Sequence, residues 1–156
     1  MKKHCQPCNI SVKQEIPDAY IFDIDGTLAH RLDRNPYDDL AAGDDVPDIP
    51  VLRTLCHLQD AGCLIVLVSG RKERSRSVLV TWLKNYLGDG RTANIDKLFM
   101  RANDDNRKDS TIKEEIYLNS IKDNYNVCAV FDDRNQVVEM WRRIGLKCFQ
   151  VESGNF

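Results

Sequence analysis

Ala19-Tyr20-Ile21-Phe22-Asp23-Ile24-Asp25-Gly26-Thr27-Leu28 is a short β-prone run that ends on an acid, repeats the acid two residues later and then meets a glycine. Pro17 marks where the run begins, and the strand is expected to end at Asp23. Ionised side chains are costly beside a core unless a cation or hydrogen-bond donors meet them. Asp23 and Asp25 therefore mark a site, with Gly26 letting the chain turn away.

Outward from this stretch, short apolar runs alternate with helical periods. A polar, Asp-rich segment over 26–47 reads as a long loop, a candidate substrate loop because such loops are uncommon unless functional. Val51, Leu52, Leu55, Cys56 and Leu58 give a helix over 48–60, with Asp48 as N-cap and Gly62 past its end. The continuous apolar run over 63–68 suits a strand buried on both faces of a parallel sheet, terminated by Ser69-Gly70-Arg71. Helices follow over 73–87, 111–121 and 136–144, and strands over 97–100, 127–131 and 147–151. Strands alternating with helices predict an α/β fold, a doubly wound parallel sheet with right-handed crossovers. Its site should lie beyond the carboxyl ends of the strands, at Asp23, Ser69 and Asp132.

The chain has 156 residues, expected to form a polar N-terminal tail over 1–16 and one domain over 17–156. With 42% hydrophobic and 29% charged residues, disorder and fibrous repeats are excluded. A formal net charge of −2 gives no general attraction to nucleic acid or membrane, so any polyanion contact is local. No apolar run reaches the ~20 residues of a membrane helix, and the setting is expected to be cytoplasmic. Cys56, Cys63, Cys128 and Cys148 sit in apolar segments and read as core thiols. Cys5 and Cys8, beside His4, have metal-ligand spacing, but no second pair follows to complete a zinc site.

Asp132-Asp133 follows the fourth apolar strand as Asp23 follows the first. Carboxylates converging on one sheet edge repel each other, and a hard divalent cation with oxygen ligands, Mg²⁺, is the simplest compensation. DxDGT after the first strand, SGR after the second, a lysine at the start of a later helix and DD after the fourth together resemble the haloacid dehalogenase superfamily of phosphotransferases. The likeness narrows at Phe22-Asp23-Ile24-Asp25-Gly26-Thr27-Leu28-Ala29, Val68-Ser69-Gly70-Arg71, Arg107-Lys108-Asp109, Lys113-Glu114-Glu115-Ile116 and the segment running from Asp132 to Gly145. These resemble the phosphatase domain of phage-type polynucleotide kinase-phosphatase. The similarity spans 19–156. No GxxxxGK[ST] occurs, so 5′ phosphorylation is not expected of these residues.

The resemblance implies a polynucleotide 3′-phosphatase, with 2′,3′-cyclic phosphate as a further candidate substrate, acting in the healing of RNA or DNA ends beside a separate kinase or ligase. It implies Asp23 as nucleophile forming an aspartyl-phosphate and Asp25 as general acid and base. Mg²⁺ would be held by the Asp23 carboxylate, the Asp25 backbone carbonyl and Asp132 with Asp133, one of that pair directly or through water. Ser69 and Lys113 would meet the phosphoryl oxygens. Asp109, four residues before Lys113, could orient the ammonium. Arg71 and Arg34 match arginines placed near the substrate phosphate or the acid, Arg34 having equally the reading of a surface charge. Thr27 and Gly70 join Lys72, Arg74 and Arg76 as substrate contacts, the last three forming a basic strip where a strand would approach.

Trp82 and Trp141 lie on apolar helix faces and read as core, while His30 and His57 have no partner pattern. The spacing of the two motifs leaves no room for a large cap domain, so the site is open to a polymer end. Openness also suits mononucleotides and other small phosphomonoesters. A non-catalytic nucleic-acid-binding module is the reading from another class.

Overall fold

A computed structural model of the chain describes residues 16–33, 35 and 38–156. In chain order it forms β1 (Asp18–Phe22), β2 (Ala29–His30), β3 (Val46–Pro47), α1 (Ile49–Asp60), β4 (Leu64–Lys72), α2 (Arg76–Leu87), α3 (Asp89–Ala93), β5 (Ile95–Arg101), α4 (Asp109–Ile116), β6 (Asn126–Arg134), α5 (Asn135–Arg143) and β7 (Cys148–Gly154). Five strands make one parallel sheet in the order β5-β4-β1-β6-β7. The doubly wound α/β reading of the sequence is what the chain adopts.

Alternation along the strands divides the core in two. Ala19 and Ile21 of β1, with Val66 and Val68 of β4, face a cluster built on Val137, Met140 and Trp141 of α5. Phe22, Ile65 and Leu67 face the opposite side, against Leu52 and Leu55 of α1 and Leu79, Trp82 and Leu83 of α2. Each central strand is thus buried on both faces, which its unbroken apolar sequence anticipates. Asp48 caps α1, its Oδ1 accepting from the Val51 N–H at 3.0 Å.

Several boundaries differ from the sequence reading. The segment over 26–47 is not a bare loop: β2 pairs antiparallel with β3, and a 3₁₀ helix, Asp39–Asp44, lies between them. Leu28, Ala29 and Ala42 are buried there, and Trp82 Nε1 donates to the Asp45 carbonyl at 2.8 Å. Two-residue strands carry no period to detect. Nor does Ser69-Gly70-Arg71 terminate β4, which continues to Lys72 through a register shift against β5. Residues Glu73–Ser75 form a 3₁₀ turn before α2, and Tyr117–Ile121 a π turn after α4. The short α3 had no periodic signal.

Cys148 is buried, whereas Cys56, Cys63 and Cys128 are only half-buried, a correction to their reading as core thiols; none of the four forms a disulfide among the described residues. His30 does have a partner, its Nε2 lying 2.8 Å from Asp48 Oδ2. His4, Cys5, Cys8 and the rest of 1–15, all but the last residue of the expected tail over 1–16, lie outside the described residues, as does Arg34. Among the described residues no helix is long and apolar enough to cross a membrane.

Candidate active site

Sheet order explains why distant residues meet. β1 is flanked by β4 on one side and β6 on the other, so Asp23 leaves the sheet between Ser69-Gly70-Arg71 and Asp132-Asp133. The Asp23 N–H donates to the Phe131 carbonyl at 3.0 Å, tying the acid to β6. Carboxylate oxygens of Asp23, Asp132 and Asp133 lie within 4.8 Å of one another, and all three residues are buried. Gly26 lets them assemble. At φ +85° it turns the chain, and a Cβ there would fall 2.1 Å from Asp133 Oδ2.

Lys113 reaches this group from α4. Its Nζ is 2.7 Å from Asp23 Oδ1, 3.0 Å from Asp132 Oδ2 and 3.3 Å from Asp109 Oδ2. Burial alone would lower the ammonium's pKa, but the three carboxylates hold it well above its ordinary value. Burial also raises Asp23 well above the usual carboxylate range; Lys113 opposes that rise, and Asp132, Asp109 and Asp25 add to it. Asp109 is instead held low, because Lys113, Arg101 and Arg134 outweigh its burial. Asp133 is pushed up to about 6, by burial first and then by Asp132.

The donor set suits a hard cation. Among the described residues, Asp133 Oδ1 is buried with no hydrogen-bond partner, although one lysine already serves Asp23 and Asp132. A buried orphan oxygen beside two further carboxylates fits Mg²⁺. The Asp25 side chain lies outside this trio and bonds to Arg71 instead.

Arg71 comes from β4, with Nε 2.9 Å from Asp25 Oδ2 and Nη2 2.7 Å from both Asp25 Oδ1 and Asp45 Oδ2. The two carboxylates more than offset the burial that would lower its pKa. Ser69 is buried and its Oγ accepts from the Arg71 N–H at 3.1 Å, which keeps the serine hydrogen for donation. Thr27 is also buried, with its hydroxyl 3.5 Å from Asp23 Oδ2. Gly70 gives room beneath the site: a Cβ there would lie 2.2 Å from Asp109 Oδ1.

These groups open into a cavity of about 660 Å³, lined in part by Asp23, Asp25, Asp133, Lys72 and Arg74. Lys72 donates to Asn106 Oδ1 at 2.7 Å, and the Arg74 N–H donates to Asn103. Arg76 does not belong to this lining. Its guanidinium pairs with Glu73 and donates to the Leu98 carbonyl at 3.0 Å, so the basic strip shortens to Lys72 and Arg74.

A profile of the polynucleotide kinase PNKP phosphatase domain matches residues 17–156. The chain belongs to this family. A chain of the Pnkp1/Rnl/Hen1 RNA repair complex is 39% identical with a TM-score of 0.86, over 94% of this chain and 46% of that one. A putative bifunctional polynucleotide kinase/RNA ligase of Autographa californica nuclear polyhedrosis virus is 35% identical, over 85% of this chain and 19% of the viral protein. The chain thus spans half or less of the length of these relatives. D,D-heptose 1.7-bisphosphate phosphatase from B. bronchiseptica shares the fold at 15% identity and TM-score 0.58, covering 85% of this chain and 79% of that one.

In this PNKP-type phosphatase domain the sequence reading missed Asp45, Trp141, Arg101 and the rim residues Arg31, Arg134 and Phe156. Asp45 is 1% exposed and shares Arg71 with Asp25, yet nothing in its Asp-rich segment sets it apart. Trp141 was read as core, which it is, but its Nε1 also donates to Asp132 Oδ2 at 3.2 Å. Arg101 ends β5, donating to the Gly70 carbonyl and to Asp109 at 2.8 and 3.3 Å. Arg134 directly follows Asp132-Asp133, and that position at a strand end was the available signal.

Proposed function

We propose that the chain is a polynucleotide 3′-phosphatase that removes the terminal phosphate from RNA ends and leaves a hydroxyl. The observation that carries this reading is the joining of two features in one open cavity. Asp23 stands beside a carboxylate pair suited to Mg²⁺, and the surrounding lining holds Arg31, Lys72, Arg74 and Arg134. Such a lining suits a polyanion whose terminal phosphate enters while its preceding phosphates stay outside. The relative in an RNA repair complex favours RNA, and the viral polynucleotide kinase/RNA ligase relative favours a role beside a ligase.

The reaction follows from the side chains. An Asp23 oxygen bonds to phosphorus as the bond from phosphorus to the sugar 3′ oxygen breaks, and that oxygen takes a proton from Asp25. Asp25 then takes a proton from water as the water oxygen attacks the aspartyl-phosphate, releasing inorganic phosphate and restoring Asp23. Arg71 fixes the Asp25 carboxylate through three bonds, so the acid is aimed before substrate arrives. Lys113, with Ser69, supplies donors for the phosphoryl oxygens once it exchanges one of its three carboxylate partners. Asp23, Asp132 and Asp133 would hold Mg²⁺, which when bound would supply neutralisation of phosphoryl charge.

The test is a comparison of kcat/KM for a 3′-phosphorylated oligonucleotide and the matching 3′-mononucleotide. The oligonucleotide is expected to be preferred, with a preference that shrinks as salt rises. Equal efficiency at all salt concentrations would assign the site to small phosphomonoesters.

A further inference from the structure

Phe156 lines the same cavity as Asp23, although it is 68% exposed. An exposed phenyl ring is ordinarily a loose one, yet this one is fastened. The Arg134 guanidinium sits 5.2 Å over the ring centroid. Arg134 Nε donates to the Phe156 main-chain oxygen at 2.6 Å, and Gln136 Nε2 donates to the same oxygen at 3.2 Å. Arg134 is itself anchored, with Nη1 3.9 Å from Asp109 Oδ2 and its N–H donating to Asp132 Oδ1 at 3.3 Å.

The approach to the ring is also constrained. Gly154 of β7 pairs with Arg134 of β6, and a Cβ on Gly154 would meet the Asp133 carbonyl at 2.4 Å. The strand that leads to Phe156 therefore packs directly against the backbone of the acidic pair. The aromatic ring is tied to the frame of the reacting centre, with Arg134 on one face and most of its surface in water.

We infer that Phe156, stacked on Arg134, is a platform for the base of the terminal nucleoside, and that it determines preference for a nucleic-acid end over a bare phosphate ester. This deepens the 3′-phosphatase reading and rests on it. The chemistry is complementary: cations at Arg31, Lys72 and Arg74 meet phosphates, while a π face meets a base of any identity. Stacking of this kind is indifferent to base sequence, as an end-healing enzyme requires. Nothing in the phosphoryl-transfer chemistry of Asp23 and Asp25 uses an exposed phenyl ring, so the ring's place in this cavity is accounted for by what lies next to the phosphate.

The experiment measures kcat/KM of the wild type, Phe156→Ala and Phe156→Trp on a 3′-phosphorylated oligonucleotide and on p-nitrophenyl phosphate, and reads the ratio. In Phe156→Ala the ratio of oligonucleotide to p-nitrophenyl phosphate is expected to fall about tenfold or more, through KM, and Phe156→Trp to restore it. A companion binding measurement uses an oligonucleotide with 2-aminopurine at its 3′ terminal nucleotide, on a catalytically inert Asp23→Asn background. Fluorescence should be quenched on binding, and the quench lost when Phe156→Ala is added. An unchanged ratio in Phe156→Ala, or a quench that persists, overturns the inference while leaving the 3′-phosphatase reading intact. Failure of the wild type to prefer the oligonucleotide overturns the 3′-phosphatase reading itself.

Discussion

Lys113 is almost wholly buried and touches three carboxylates, so its charge is fully spent inside the molecule. That makes Asp23 and Lys113 separable by mutation. Asp23→Asn removes the nucleophile and is expected to lower kcat by about a thousandfold or more, measured as phosphate release. Lys113→Met leaves three buried or half-buried carboxylates without their ammonium, and both activity and folding should fail unless Mg²⁺ is present at high concentration. Asp45 is the buried partner that Arg71 shares with Asp25. Asp45→Ala should destabilise the protein by about 3 kcal/mol in urea unfolding, at the low end for a broken buried pair because Arg71 keeps Asp25. Its kcat should drop as well, since Arg71 can then swing away from the acid. Burial and the nearby Asp132 push the Cys148 thiol up to about 12. The native thiol therefore keeps its proton where an unfolded one, with a pKa near ~8.5, releases it. Its stability contribution is complete below ~8.5 and declines as pH rises toward 12. Melting temperature should accordingly fall less between pH 8 and 10 in Cys148→Ala than in the wild type; equal slopes would contradict this. Asp23, Asp25, Asp132 and Asp133 stood out in the sequence because they follow apolar strands directly or within two residues; Lys113 was expected at the start of a helix but lies in the second half of α4. Asp45 and Trp141 were not, since their partners Arg71 and Asp132 are reached only through the fold.

At the scale of elements, the central strands were legible and their edges were not. A doubly buried parallel strand announces itself by an unbroken apolar run, as β4 does over Leu64 to Val68. Its continuation through Ser69-Gly70-Arg71 is polar because those residues serve the site, so the functional signal masked the structural one. The β2 and β3 pair is held by tertiary contacts of Leu28, Ala29 and Asp45, and local sequence carries no trace of that. Two glycines set the distances between elements. Gly70→Ala would drive a methyl into Asp109, which Lys113 and Arg101 hold in place. The expected result is a loss of kcat of about tenfold with little change in KM, because Asp109 orients Lys113 and makes no contact that a substrate needs. Gly154→Ala meets backbone and not a side-chain end, so β7 must shift. Destabilisation of about 1–3 kcal/mol is expected, read in chemical denaturation.

For the molecule as a whole, the net charge of −2 averages an acidic centre and a cationic rim. Composition alone argued against general polyanion affinity; the fold carries Lys72, Arg74 and Arg134 to one cavity through β4 and the residues after it and β6, which is where the proposed local affinity would reside. The acidic centre carries its own signature. Mg²⁺ at about a hundred times its Kd should raise the melting temperature by about 5–10 °C, and Asp133→Asn should abolish that shift. The central claim is that Asp23 takes phosphate from a 3′ end, and acid-quench transfer of ³²P tests it most directly. With an oligonucleotide labelled in its 3′-terminal phosphate, label is expected on the Asp23 peptide within a turnover, removable by hydroxylamine and absent from Asp23→Asn. Release of labelled phosphate at an undiminished rate by Asp23→Asn, with no label on protein, would contradict the account.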